Sequence, residues 1–205
     1  MEYRSFDASG MSADSGRIHG LAAPFNTPTD IRDKQGEYRE SFLPGAFTDS
    51  LANRDVVFLV GHDSSKPVAR LSAGSLDIRQ TERGLEFTAV PNKTTYARDL
   101  VENIRSGAIN GTSFGFMATD ESWMDDGGNE VSPLYATRRV VRSAQLDEIS
   151  AVTFPAYPDT ELSARSASAA KTRRMIDPVA ELERLNDMRI AWSLGLSYET
   201  FRQRV

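Results

Sequence analysis

Hydrophobic and polar positions change period several times along the chain, and each change marks an element. Val56 to Val60 is apolar at every position, which predicts a strand covered on both faces that ends at Gly61-His62. Leu85, Phe87 and Ala89 alternate with Glu86 and Thr88, so Gly84 to Val90 reads as a half-buried strand, and Glu82-Arg83-Gly84 turns it back on a partner at Ser75 to Gln80. From Thr94 the period lengthens. Tyr96, Leu100, Val101 and Ile104 share one face and Arg98, Asp99, Glu102 and Arg105 the other, which predicts a helix stopped by Gly107. Shorter strands are expected at Arg17 to Phe25, Glu37 to Leu43, Thr137 to Val141 and Leu146 to Phe154, with a short helical segment opened by Pro44 and ending near Asn53.

One stretch stands apart. In Gly111-Thr112-Ser113-Phe114-Gly115-Phe116 strand alternation sends Thr112, Phe114 and Phe116 to one side and Gly111, Ser113 and Gly115 to the other. The aromatic side anchors in a core. The other side displays one hydroxyl between two glycines, so a second backbone can approach it without meeting a side chain. Ordinary strands also carry glycines at bulges, so the serine needs partners before it has a task.

The remaining segments set the organisation. Residues 1–16, rich in Ser, Asp and Gly, read as a flexible lead-in, and 119–136, with Gly127-Gly128, Pro133 and several acids, as a mobile loop. A globular domain is expected over 17–162. Small residues followed by basic ones make 163–174 a linker, and 175–205 reads as a helical tail started by Asp177-Pro178, with Val179, Leu182, Leu185 and Met188 as its apolar stripe.

Composition narrows the chemistry. The 205 residues, 40% of them hydrophobic, suffice for one sizeable core plus an appendage. No apolar run approaches the length of a membrane span, and the first residues lack the apolar stretch of a secretory signal, so no membrane partner is expected. A net charge of −5 argues against a nucleic-acid surface and favours a protein partner. The absence of cysteine removes thiolate metal sites and thiol nucleophiles, leaving His19 and His62 as the imidazoles. His19, beside Gly20 and without an acidic or hydroxyl neighbour in sequence, reads as structural. His62 closes a core strand ahead of a loop expected at Asp63 to Pro67, where a general base would be reachable. Leu146 to Phe154 offers Asp147 on one face and Glu148 on the other, and parity alone does not choose between them. A histidine that takes the hydroxyl proton and an acid that holds the imidazolium would make Ser113 a nucleophile.

The set VVFLVGHD, NGTSFGF and LDEISAVTFPA, preceded by RIHGLAAPFN and FLPGAF, resembles the prohead (capsid maturation) serine proteases of tailed bacteriophages over about residues 17–160. The resemblance implies His62 as general base, Ser113 as nucleophile and Glu148 as third member. That family resembles the herpesvirus assembly proteases, which implies a mainly β fold with flanking helices (α+β), built as a mostly antiparallel β-barrel. It also implies cleavage of scaffold and major capsid protein inside the procapsid, in the host bacterial cytoplasm, with no cofactor and no metal; a homo-oligomer is compatible with it. Oxyanion donors are expected at backbone N–H groups near Arg138-Arg139 or beside Ser113. Self-cleavage is expected between about Ala164 and Arg174, within the linker. Two other classes use the same residues: a non-catalytic capsid-assembly or scaffolding protein with a structural His62, and a metal-dependent hydrolase on His62-Asp63, for which the sequence supplies too few ligands.

Overall fold

The computed structural model describes residues 1–7 and 11–154. Expectations about the linker, the helical tail and self-cleavage lie outside the described residues.

The strands are β1 (Glu2–Asp7), β2 (Ser12–Asp14), β3 (Arg17–Pro24), β4 (Thr29–Asp33), β5 (Gly36–Phe42), β6 (Val57–Val60), β7 (Asp63–Arg70), β8 (Leu76–Gln80), β9 (Gly84–Ala89), β10 (Gly111–Met124) and β11 (Arg138–Val152). Helix α1 (Thr48–Asn53) precedes β6, and helix α2 (Thr95–Arg105) precedes β10. The fold is mainly β with few helices. A seven-stranded sheet runs β1-β10-β11-β5-β4, with β6 on β11 and β7 on β6, and a four-stranded sheet runs β2-β3-β9-β8. The expected closed barrel is corrected: no pairing among the described residues joins the outer strands into a ring.

The long strand β11 explains why. Along one edge it pairs antiparallel with β10 over nearly its whole length; along the other it takes two parallel partners, β5 at Arg138 to Val141 and β6 at Glu148 to Ala151. The gap between those partners is filled by the segment around α1. There Leu43 N–H bonds Val141 O, Ala144 N–H bonds Ala46 O, and the buried Ser50 hydroxyl accepts from Leu146 N–H at 2.8 Å. Every backbone donor must find an acceptor once buried, so a side-chain hydroxyl substitutes where no strand lies alongside.

The core lies on the side of β10 that carries Phe114 and Phe116, both wholly buried. Phe42 and Phe47 each meet Phe114 edge to face, with centroids 5.4 and 5.9 Å apart, and Phe58 meets Phe87 of the second sheet at 5.1 Å. Burying each ring contributes about 2–3 kcal/mol, which fixes the inner face of β10 and therefore its outer one. Helix α2 is capped by Thr94, whose hydroxyl accepts from Ala97 N–H, and it buries Ala97, Leu100 and Ile104. This agrees with the predicted helix, except that Ala97 shares the buried face.

Three segments differ from expectation. Within 1–16, expected as a flexible lead-in, Glu2–Asp7 and Ser12–Asp14 are strands: β1 adds to the edge of β10 and β2 to β3. The first half of 119–136 continues β10 to Met124, and a short 3-10 turn occupies Pro133–Tyr135. Asp63 to Pro67 belongs to β7 rather than to a loop.

What holds β1 is charge. Arg4 donates to both oxygens of Glu40 at 2.6 and 3.0 Å, and Arg139 donates to Glu40 at 2.7 Å and to Glu2 and Glu121. Glu40 and Arg139 are buried, so each depends on these partners to offset its lost hydration. Nothing local in the sequence announces a network assembled from positions 2, 4, 40, 121 and 139.

Candidate active site

His62 is presented by a tight turn. Val60 pairs with Asp63, leaving Gly61-His62 as a two-residue hairpin loop with φ of +59° and +63°. Both central residues of a type I′ hairpin need positive φ; glycine adopts it freely and histidine at a cost of order 1 kcal/mol or more. The surroundings hold the conformation. His62 N–H donates to the Ser150 hydroxyl at 3.0 Å, and Gly61 N–H to Ala151 O at 3.0 Å.

The imidazole meets a carboxylate. His62 Nδ1 lies 2.6 Å from Glu148 Oε1, and the Ser150 hydroxyl donates to Glu148 Oε2 at 2.7 Å. Glu148 is 5% exposed and Ser150 wholly buried. Ser150 therefore uses one hydroxyl twice, accepting from the His62 backbone and donating to the acid beside its ring. Against His62 packs the Tyr3 ring from β1, edge-on with centroids 4.5 Å apart.

The two acids of β11 separate at a bulge. Gly115 pairs with Glu148 but Phe116 with Leu146, so Asp147 is the extra residue. Below it Leu146 turns to the core; above it Glu148 and Ser150 share the face of Ser113, which pairs with Ser150. Asp147 bonds Arg54 at 2.6 Å instead. Gly115 opposite Glu148 leaves them room, because a Cβ there would lie 3.0 Å from Glu148 Oε1 and 3.1 Å from the Tyr3 ring and would press both aside.

Ser113 lies on the expected face, and the backbone of β1 lies against it. It is wholly buried, and its hydroxyl donates to Arg4 O at 3.0 Å and accepts from Ser5 Oγ at 2.9 Å. Its bonds go to β1, not to His62. The structure thus joins His62 to Glu148, with Ser113 one pairing away from Ser150, and it adds Ser150, Tyr3 and Ser5, which the sequence analysis missed.

The other singled-out residues lie as follows. Arg139 pairs with Trp123, ten residues along β10 from Ser113, roughly 30 Å at about 3.3 Å per residue. Arg138-Arg139 therefore pair with the end of β10 away from Ser113. Asp63, beside His62 in sequence, is turned to Ser65 and Lys66, whose hydrogen bonds, led by the Ser65 hydroxyl, hold its carboxyl down to about 2. His19, expected to lack acidic and hydroxyl neighbours, has one of each in the fold: its Nδ1 lies 3.0 Å from the Thr88 hydroxyl on the second sheet and its Nε2 3.8 Å from Asp14. Among the described residues no helix is long and apolar enough to cross a membrane.

A carboxylate-bound imidazole and a serine on nearby strands are residue types that nucleophilic acyl transfer uses. The family model described as caudovirus prohead serine protease matches residues 3–175, and the chain belongs to that family. It is thereby a serine peptidase of the capsid-maturation class. Among solved structures, the bacteriophage T4 capsid assembly protease is similar, at 13% identity over 75% of this chain and 97% of that one, with a TM-score of 0.48. No curated protein sequence matches.

Proposed function

We propose that the chain is a serine endopeptidase in which Ser113 attacks the peptide carbonyl, His62 takes the hydroxyl proton through Nε2, and Glu148 orients and stabilises the imidazolium. The observation that carries this reading is the 2.6 Å contact between His62 Nδ1 and the buried Glu148, because it leaves Nε2 as the free ring nitrogen. The Oγ–C bond forms as the proton passes to His62; the same proton then goes to the leaving amine as the C–N bond breaks. Water, deprotonated by His62, releases the acyl group. Backbone N–H groups beside Ser113 are the oxyanion donors in this reading. The substrates are scaffold and major capsid protein within the procapsid, in the host cytoplasm, together with the chain's own 163–174 segment. Purified enzyme acting on its capsid protein tests it. Ser113→Ala and His62→Ala should each lose activity, to within a small factor of one another, because the residues act as a unit. A much milder loss in His62→Ala would assign the base elsewhere.

A further inference from the structure

A nucleophile must meet a carbonyl carbon, yet the Ser113 hydroxyl is wholly buried and its bonds are directed into β1. Residues 2–7 lie antiparallel on β10, with Ser5 opposite Ser113 and Tyr3 opposite Gly115. Tyr3 and Ser5 project on the site face, one against His62 and the other against Ser113; Arg4 and Phe6 project on the core face, against Glu40 and Phe114. A strand in this register brings a main-chain carbonyl oxygen, that of Arg4, to 3.0 Å from Ser113 Oγ. In β1 the hydroxyl donates its proton to that oxygen, so none is aimed at His62.

We propose that the edge of β10 covered by β1 is the binding site for a substrate peptide, taken as an extended strand antiparallel to residues 111–116, with β1 as its resident occupant. This rests on the protease reading of Ser113. Departure of β1 frees the backbone N–H and C=O groups that β10 now shares with it, and an incoming peptide re-forms the same ladder. It also uncovers the faces of Ser113 and His62 that Ser5 and Tyr3 occupy, so the hydroxyl proton can turn to the imidazole. The anchors of β1 lie in the Arg4–Glu40 pair and in Phe6 stacked on Phe114, away from the reacting atoms. How firmly β1 is held therefore sets how much enzyme is open.

The chain has no cysteine, which allows a reversible lock. Phe6 and Thr112 are cross-strand partners on the core side, and paired strands hold such Cα atoms about 4.5–5.5 Å apart, within disulfide range. In the full chain carrying Phe6→Cys and Thr112→Cys, a fluorophosphonate probe, which forms an Oγ–P bond with loss of fluoride, should label Ser113 at least about tenfold more slowly oxidised than reduced. Arg4→Ala, which removes the buried anchor without touching the site face, should label about tenfold faster than the wild type. Equal rates in the two redox forms, or no gain in Arg4→Ala, would overturn the proposal while leaving the protease reading intact. Absence of any Ser113 adduct, with capsid processing preserved in Ser113→Ala, would instead remove the reading on which it rests.

Discussion

Glu148 and Asp147 are adjacent carboxylates with opposite surroundings, and the proposed mechanism gives them different roles accordingly. Glu148 is buried against His62 and Ser150, while Asp147 makes a half-exposed pair with Arg54. Glu148→Gln should lower kcat by roughly 10³-fold or more, because the amide no longer stabilises the imidazolium; Asp147→Asn should stay within about threefold, as partly exposed ion pairs contribute little. The reverse ranking, measured as kcat on a peptide substrate, would move the third role to Asp147. Ser150→Ala strands the His62 N–H and one oxygen of Glu148. It should lower kcat about ten- to hundredfold with KM little changed, the size of a lost hydrogen bond to a charged group. A change confined to KM would make Ser150 a substrate contact instead. The sequence assigns Ser113 to its face, because strand alternation is a local rule. It does not separate the two acids, because the bulge at Asp147 interrupts alternation and exists only through pairing with β10.

At the scale of elements, β1 shows what local patterns miss. Glu2-Tyr3-Arg4-Ser5-Phe6 alternates in character, but its charged positions point inward, where a strand pattern calls for apolar ones. They are tolerated because Glu40, Arg139 and Glu121 come to meet them from elsewhere in the chain. Burial raises the Glu2 carboxyl, but the hydrogen bonds and charges of Arg139 and Arg4 outweigh it and hold the group below its ordinary 4.5. A lowered folded value means the stabilisation is fully present above about 4.5 and lost as pH falls through the folded value. Glu2→Gln should therefore lower stability by about 1 kcal/mol near neutrality, discounted for partial exposure. The gap to the wild type should close as pH drops below about 4.5. Thermal midpoints of both proteins across that range measure this, and a gap constant with pH would detach Glu2 from the network.

Across the whole molecule, β11 organises the site. By pairing with β10 on one edge and with β5 and then β6 on the other, it sets Ser113, Glu148 and His62 on neighbouring strands although they are far apart in sequence. The individual strands of this arrangement were legible in Val56 to Val60, Leu85 to Ala89 and the TSFGF stretch. The two-sheet architecture was not, because parallel pairing at two places on one strand depends on the filler around Ser50 and Ala46 and on no local periodicity. The central claim, that peptide cleavage proceeds through Ser113, is tested most directly by the intact mass of capsid protein co-expressed with wild type or with Ser113→Ala. Losing one hydroxyl that bonds Arg4 O and Ser5 should cost about 1 kcal/mol, so the variant remains folded. The account predicts shortened capsid protein with the wild type and full-length capsid protein with the folded variant. Identical shortened masses from both would contradict it.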